Sequence, residues 1–218
     1  MSLSAPSVRI MPDVAFKDLC LDTTRPDVVG PFWRDLLGLH GTRQDNGDWS
    51  LTGTPKQRAV WVNTVPEAQT VKSRVHLDVR VEDHHGPERW EVRHDPDGLE
   101  WCAFAPREGT GPFELVVDAA DAAAQAAWWA ARTGGTAHND GQAWHWVEGA
   151  AGFPYAYWVF NPVPEPKTVK NRMHWDVTLV DGTVASLQAA GARVLEVLAS
   201  WTVTADPEGN EFCVFSPA

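Results

Sequence analysis

Apolar and polar residues alternate one for one along Arg74-Val75-His76-Leu77-Asp78-Val79, which predicts a strand with Arg74, His76 and Asp78 on one face and the aliphatic residues on the other. The alternation returns along Arg172-Met173-His174-Trp175-Asp176-Val177. In both segments the apolar face is expected to pack on helices and the charged face to line water or a cavity, an assignment that a β-bulge would reverse. The same rule puts Glu100 with Cys102, and Glu211 with Cys213. Phe16 to Asp22 and Phe113 to Asp118 also alternate as strands, and Arg58 to Val65, Trp144 to Val147 and Tyr155 to Phe160 are rich in β-formers and bounded by turns.

Helical spacing replaces alternation in three places. Val28, Phe32 and Leu36, with Val29, Trp33 and Leu37 beside them, recur every fourth residue and end at Gly38. Pro31 removes a backbone bond from that helix, so it either starts nearer Gly30 or kinks. Ala119 to Arg132 is an alanine-rich helix stopped by Gly134-Gly135. Asp181 to Gly191 reads as a capped amphipathic helix that ends at glycine.

The pattern is duplicated. Val71-Lys-Ser-Arg-Val-His76-Leu-Asp78 returns 98 residues later as Val169-Lys-Asn-Arg-Met-His174-Trp-Asp176, and Asp95-Pro-Asp-Gly98-Leu-Glu100-Trp-Cys102 returns as Asp206-Pro-Glu-Gly209-Asn-Glu211-Phe-Cys213 after 111. A third anchor pairs the Val-Pro-Glu ending at Glu67 with that ending at Glu165, and the starts pair Phe16 with Phe113. The lengthening from 98 to 111 is the helix near Asp181, for which the first copy has only Glu82-Asp-His84-His85-Gly-Pro-Glu88. These boundaries divide the chain into residues 13–107, with one helix reduced, and 112–218, joined by the Gly- and Pro-rich stretch Pro106 to Pro112.

Composition narrows the function. The formal net charge of −11, with no cluster of Lys or Arg, speaks against nucleic acid as a partner. No apolar run approaches the roughly 18 residues of a membrane span, and the N-terminus lacks a signal-peptide pattern, so a soluble cytoplasmic protein with no membrane partner is expected. Three cysteines without a CxxC pair argue against a disulfide framework or a zinc knuckle. Twelve tryptophans are many for this length, and such side chains either fill thin cores or grip apolar ligands. No GxSxG, Walker loop, GxGxxG or HExxH occurs, which removes nucleophile-elbow hydrolases, nucleotide binders and zincins.

Taken together, the strand, the Phe-Trp helix, the Lys-x-Arg-x-His-x-Asp block and the Asp-Pro-(Asp/Glu)-Gly-x-Glu-x-Cys block closely resemble the glyoxalase-like, bleomycin-resistance branch of the vicinal oxygen chelate superfamily. The resemblance spans residues 16 to 217 and implies an α+β fold of paired βαβββ modules, with curved sheets forming cups and two such domains packed as a pseudo-dimer within one chain. Pairing of two chains as a homodimer stays open.

Metal-dependent relatives take ligands from the first strand, the histidine of the fifth and a Glu of the last. In this sequence those positions hold Asp18 and Glu114, His76 and His174, and Cys102 and Cys213, with Glu100 and Glu211 two residues earlier on the last strand's same face. The departure at cysteine bears on whether a divalent metal ion is bound. The implied ligand sets are Asp18, His76 and Glu100, and Glu114, His174 and Glu211; relatives often borrow the partner domain's first strand, which would join Asp18 to His174 and Glu211 instead. Candidate ligand-contacting residues are therefore Asp18, Arg74, His76, Asp78, Glu100, Cys102, Glu114, Arg172, His174, Asp176, Glu211 and Cys213. So many carboxylates in one cup raise one another's pKa unless a metal, a cationic ligand, or Arg74 and Arg172 neutralise them. His84, His85, His94, His138 and His145 read as surface residues.

Three functions follow from the resemblance. The first is a bleomycin-resistance-like binding protein that holds an apolar or aromatic, even cationic, small molecule in an acidic, Trp-lined cup. The second is a metal-dependent lyase, isomerase or dioxygenase acting by bidentate oxygen chelation. The third is a degenerate structural or regulatory module whose cup is plugged by its own tryptophans.

Overall fold

The structure, a computed structural model, describes residues 11–53, 59–84 and 86–217. Arg58, at the start of one expected strand, and His85 lie outside the described residues. The chain first forms β1 (Val14–Thr23), α1 (Pro26–Leu36), β2 (His40–Arg43), β3 (Trp49–Thr52) and β4 (Val60–Thr64). It continues with β5 (Val75–Arg80), β6 (Trp90–His94) and β7 (Glu100–Phe104), with no helix among the described residues between β5 and β6. The second half repeats the plan as β8 (Gly111–Ala119), α2 (Ala122–Thr133), β9 (Thr136–Asn139), β10 (His145–Glu148) and β11 (Tyr157–Pro162). It closes with β12 (Met173–Leu179), α3 (Val184–Ala189), β13 (Arg193–Val197), β14 (Trp201–Ala205) and β15 (Glu211–Phe215). This is the α+β arrangement of four βαβββ modules, the second of which lacks, among the described residues, both its helix and the strand that corresponds to β13.

Local chemistry sets the helix ends. Pro26 opens α1, where a missing N–H costs nothing, so the helix begins four residues before Gly30 and carries Pro31 inside it at the loss of one backbone bond. Gly30 is required by packing: a Cβ there would lie 2.5 Å from the Trp49 indole. Asp121 caps α2 by accepting from Ala124 N, which is why the helix starts at Ala122 and leaves Ala119 in β8; Gly134, at φ 68°, stops it. A reciprocal Thr183–Ser186 capping box opens α3, which is only six residues long.

The four modules exchange partners. Sheet A has eight strands in the order β13-β14-β15-β12-β1-β4-β3-β2, and sheet B seven in the order β6-β7-β5-β8-β11-β10-β9. Each sheet therefore joins one module from either half of the chain, through the antiparallel pairs β1–β12 and β5–β8. The apolar faces meet each other as well as the helices: Trp175 of sheet A lies 5.2 Å from Trp158 of sheet B, and Trp129 of α2 packs on both. The expectation that helices alone cover those faces is corrected by this sheet-to-sheet contact. Five tryptophans (Trp33, Trp101, Trp129, Trp158 and Trp175) are buried in the one continuous core and Trp49 and Trp128 pack against it, so seven of the twelve fill volume between layers.

The repeated Asp-Pro-x-Gly turns tie the halves' layers together. Asp206 Oδ1 accepts from the backbone of Glu208 and Asn210, while Oδ2 accepts from the Trp129 indole (3.2 Å) and Asn210 Nδ2 (3.0 Å). Asp95 holds Trp33 in the same way at 3.0 Å, with its other oxygen on the backbone of Asp97 and Leu99. Asp206 has no exposed surface, so Asp206→Ala strands four donors, three of them buried, and is expected to cost about 3 kcal/mol in denaturant unfolding, with Asp206→Asn losing less because an amide oxygen still accepts.

Candidate functional site

The outward, concave face of sheet A collects polar residues from both halves. Asp18 stands opposite Asp176, Cys20 opposite His174, and Asp176 beside Cys213. On the other flank of β1, Cys20 lies beside Trp61 and Asp22 beside Asn63. Sheet B repeats the layout with Asp78 opposite Glu114 and beside Cys102, and His76 opposite Val116. The imidazole-bearing strands thus turn their charged side to a concave surface and their apolar side to the core.

Bulges adjust the phase. One lies between Phe16 and Asp18, so Phe16 enters the core while Lys17 turns to the concave side, its ammonium bonded to Asp18 and 4.6 Å from the Phe215 ring centroid. In sheet B the extra residue is Phe113, which packs edge-on to Phe104 at 5.1 Å and carries the Arg80 guanidinium at 3.9 Å. Phe113 is therefore the counterpart of Lys17, as Glu114 is of Asp18, and the alignment of Phe16 with Phe113 is one residue out. Trp201 stacks on Phe215 and Trp90 on Phe104, giving each cup an aromatic wall. Of the other tryptophans, Trp61 reaches the floor of the sheet A cup, its indole donating to Asp18 at 3.4 Å.

Two acids of the floor are neutralised by lysines. Lys170 bonds Asp22, and Lys72 bonds Asp118 at 2.7 Å; Asn63 and Asn161 donate to the same two aspartates. Arg74 and Arg172, expected to do this, reach over the rim instead. Arg74 donates to the carbonyls of Glu165 (2.7 Å) and Asp118 (2.9 Å), while Arg172 donates to the carbonyl of Glu67 and approaches Asp97 at 3.7 Å. Each arginine thus fastens the Val-Pro-Glu segment of the opposite half, since a long guanidinium at the mouth reaches a neighbouring loop more readily than the floor. Glu100 and Glu211 are also committed to loops: Glu100 accepts from Ser73 N and Gln69, and Glu211 from Lys167 (2.7 Å) and Asn171 N.

Hence Asp18, His76 and Glu100 are not brought together, nor are Glu114, His174 and Glu211, because each first-strand acid is in the sheet opposite its own half's histidine. Asp18 does share a sheet with His174 and Glu211, but Lys17 and Lys167 occupy the two acids. A resident metal on those resemblance-implied positions does not fit. Among the described residues, the groups of three donors whose ligand atoms all lie within 4.8 Å are Cys20–His174–Asp176 and His76–Asp78–Cys102. Cys20 follows from continuing the alternation two residues past Asp18, and the floor lysines from the repeated Val-Lys of the histidine block; both signals were present in the sequence. Of the remaining histidines, His84 is buried where a surface position was expected, and His138 stacks on Trp146.

Burial dominates the electrostatics. It pushes Glu114 up to about 8, helped by the facing Asp78, and Asp176 up to about 6, where Asp18 adds to the rise and Lys17 opposes it. Burial likewise lifts Cys102 and Cys213 to about 12, with Asp78 and Asp176 contributing. It lowers His174, with Lys170 adding to the effect against Asp22 and Glu211, so the imidazole is neutral at pH 7.

With this geometry in view, the family match is decisive: the model of the glyoxalase-like domain matches residues 18–104 and again 114–215. The chain belongs to the glyoxalase-like domain family. Its fold is similar to glyoxalase I from Zea mays (TM-score 0.66, 11% identity, 93% of this chain and 92% of that one). A candidate dioxygenase from Bacillus subtilis strain 168 is similar at TM-score 0.65 and 12% identity, over 95% of this chain and 86% of that one. The cppA protein of Streptococcus pneumoniae gives 0.55 and 10%, over 94% and 100%. At these identities the likeness establishes the glyoxalase-like tandem fold alone. No curated protein matches the chain. No described helix is long and apolar enough to cross a membrane.

Glu114 provides a pH test. Its folded pKa is raised above the ordinary 4.5, so the native protein keeps a proton that the unfolded chain has released, and stability falls as pH rises from about 4.5 through about 8. Glu114→Gln is expected to flatten that fall and to stabilise the protein at pH 9 by on the order of 2 kcal/mol, after allowance for solvent screening, in urea titrations across the range.

Proposed function

We propose that this glyoxalase-like protein binds a small molecule on the concave face of sheet A, in the manner of a bleomycin-resistance protein, and that a flat, positively charged aromatic compound is the class it fits. The carrying observation is Lys17. The chain sets its own ammonium beside the Asp18–Asp176 pair and over the ring of Phe215, itself stacked on Trp201. A cation on an aromatic face gains about 1 kcal/mol or more when partly desolvated, and the acids add attraction that a neutral ligand lacks. Trp201 is exposed, which leaves an aromatic surface for a planar ligand to cover. The buried tryptophans belong to the inter-sheet core, so the cup is not filled by them, which weighs against a purely structural module.

Thermal unfolding of metal-free protein with a panel of flat aromatic cations, proflavine among them, tests this reading. The melting temperature is expected to rise with the cations and not with anionic aromatics of similar size. Asp176→Asn should remove most of the rise, and Lys17→Ala should enlarge it by clearing the internal competitor. No rise with any cation, or a rise indifferent to Asp176→Asn, contradicts the proposal.

A further inference from the structure

We propose that the same sheet carries a metal site of its own kind, in which Cys20, His174 and Asp176 bind a thiophilic divalent ion such as Zn2+. Of the three, only His174 is among the metal-ligand positions that the resemblance implies, so the site arises from this chain's own residues. Cys20 comes from the first half, on β1, and the other two from β12, with His174 directly opposite Cys20. Their ligand atoms lie within 4.8 Å of one another, and all three residues are buried. A thiolate, an imidazole and a carboxylate form a donor set suited to zinc in a site with an open position.

The second observation is His174 itself. The residue is 8% exposed, and its buried Nδ1 has no hydrogen-bond partner; the nearest acid, Asp22, stays 3.9 Å away and is taken by Lys170. An unpaired polar nitrogen at that depth is costly unless something completes it. Cys213, on the far side of Asp176, does not offer an alternative use for Cys20. β1 and β15 flank β12, which puts the two cysteines about 9.6 Å apart, two strand spacings, beyond the roughly 7 Å that a disulfide spans. The corresponding place in sheet B is Val116, and there His76 Nε2 already lies 3.4 Å from Asp78. As the metal–sulfur bond forms, the Cys20 proton passes to solvent, and the ion takes up the negative charge that Lys17 only partly offsets. This site does not depend on the organic-ligand reading, and it is tested without such a ligand.

The experiment is titration of the full-length, metal-free protein with Cd2+ alone, followed by the ultraviolet sulfur-to-cadmium charge-transfer band and by native mass spectrometry. One ion per chain with a thiolate band is expected. Cys20→Ser should abolish the band and weaken binding by at least about tenfold, since loss of a direct ligand exceeds loss of an outer-shell partner. Cys20→Val, which installs the residue found at the equivalent position of sheet B, controls for folding and should behave the same way. Cys102→Ser should keep both the band and the stoichiometry. The proposal is overturned if the wild type binds no cadmium, if either Cys20 variant retains the band, or if Cys102→Ser loses it.

Discussion

Two antiparallel strand pairings, β1 with β12 and β5 with β8, carry the rest of this structure. Each joins the two halves of the duplicated sequence edge to edge. Without them there would be four small modules, each with an unpaired central strand and half a concave surface. With them, the acids of β1 meet the histidine strand of the second half, those of β8 meet that of the first, and the apolar backs of both sheets close on one core. A duplicated chain can build this within itself because both copies supply the same edges, and the Arg74 and Arg172 contacts to the opposite Val-Pro-Glu segments fasten the exchange from the rim.

The pairing also creates the electrostatic tension at each floor. Antiparallel registry sets Asp18 against Asp176 and Glu114 against Asp78, like charges at closest approach across a strand pair. Sheet A answers with Lys17, brought round by a bulge, whereas sheet B has Phe113 at that point and relies on Arg80 and Arg89 at longer range. The surplus of buried negative charge left over favours a protonated acid, an organic cation or a metal ion. Cys20 and His174 make sheet A the richer of the two surfaces in metal-binding chemistry, while Val116 makes sheet B more apolar at the same depth.

Much of this was legible in residue order. The repeated Val-Lys-x-Arg-x-His-x-Asp block marked the histidine strands, period-two alternation named the faces of Arg74, His76 and Asp78, and the Asp-Pro-x-Gly turns marked the last strands. The missing helix showed as a difference in repeat length, but the same stretch also holds β13, a strand without a counterpart in the first half that the length difference alone did not reveal. What residue order does not contain is the partner of an edge: Asp18 reads the same whether β1 joins β5 or β12. Bulges are equally silent, since Phe16-Lys17-Asp18 is a plausible regular strand, and only registry against β12 turns Lys17 to the concave side. The roles of Arg74 and Arg172 depended on loop positions far away in sequence. Cys20 could have been found by extending one alternation by two residues.

The most direct test of this account is solution NMR on the intact, isotope-labelled chain, reading backbone contacts across neighbouring strands. The exchanged architecture predicts close approach of Asp18 to Asp176 and of Glu114 to Asp78. Contacts of Asp18 with Asp78 instead, each half closing its own sheet, would contradict it.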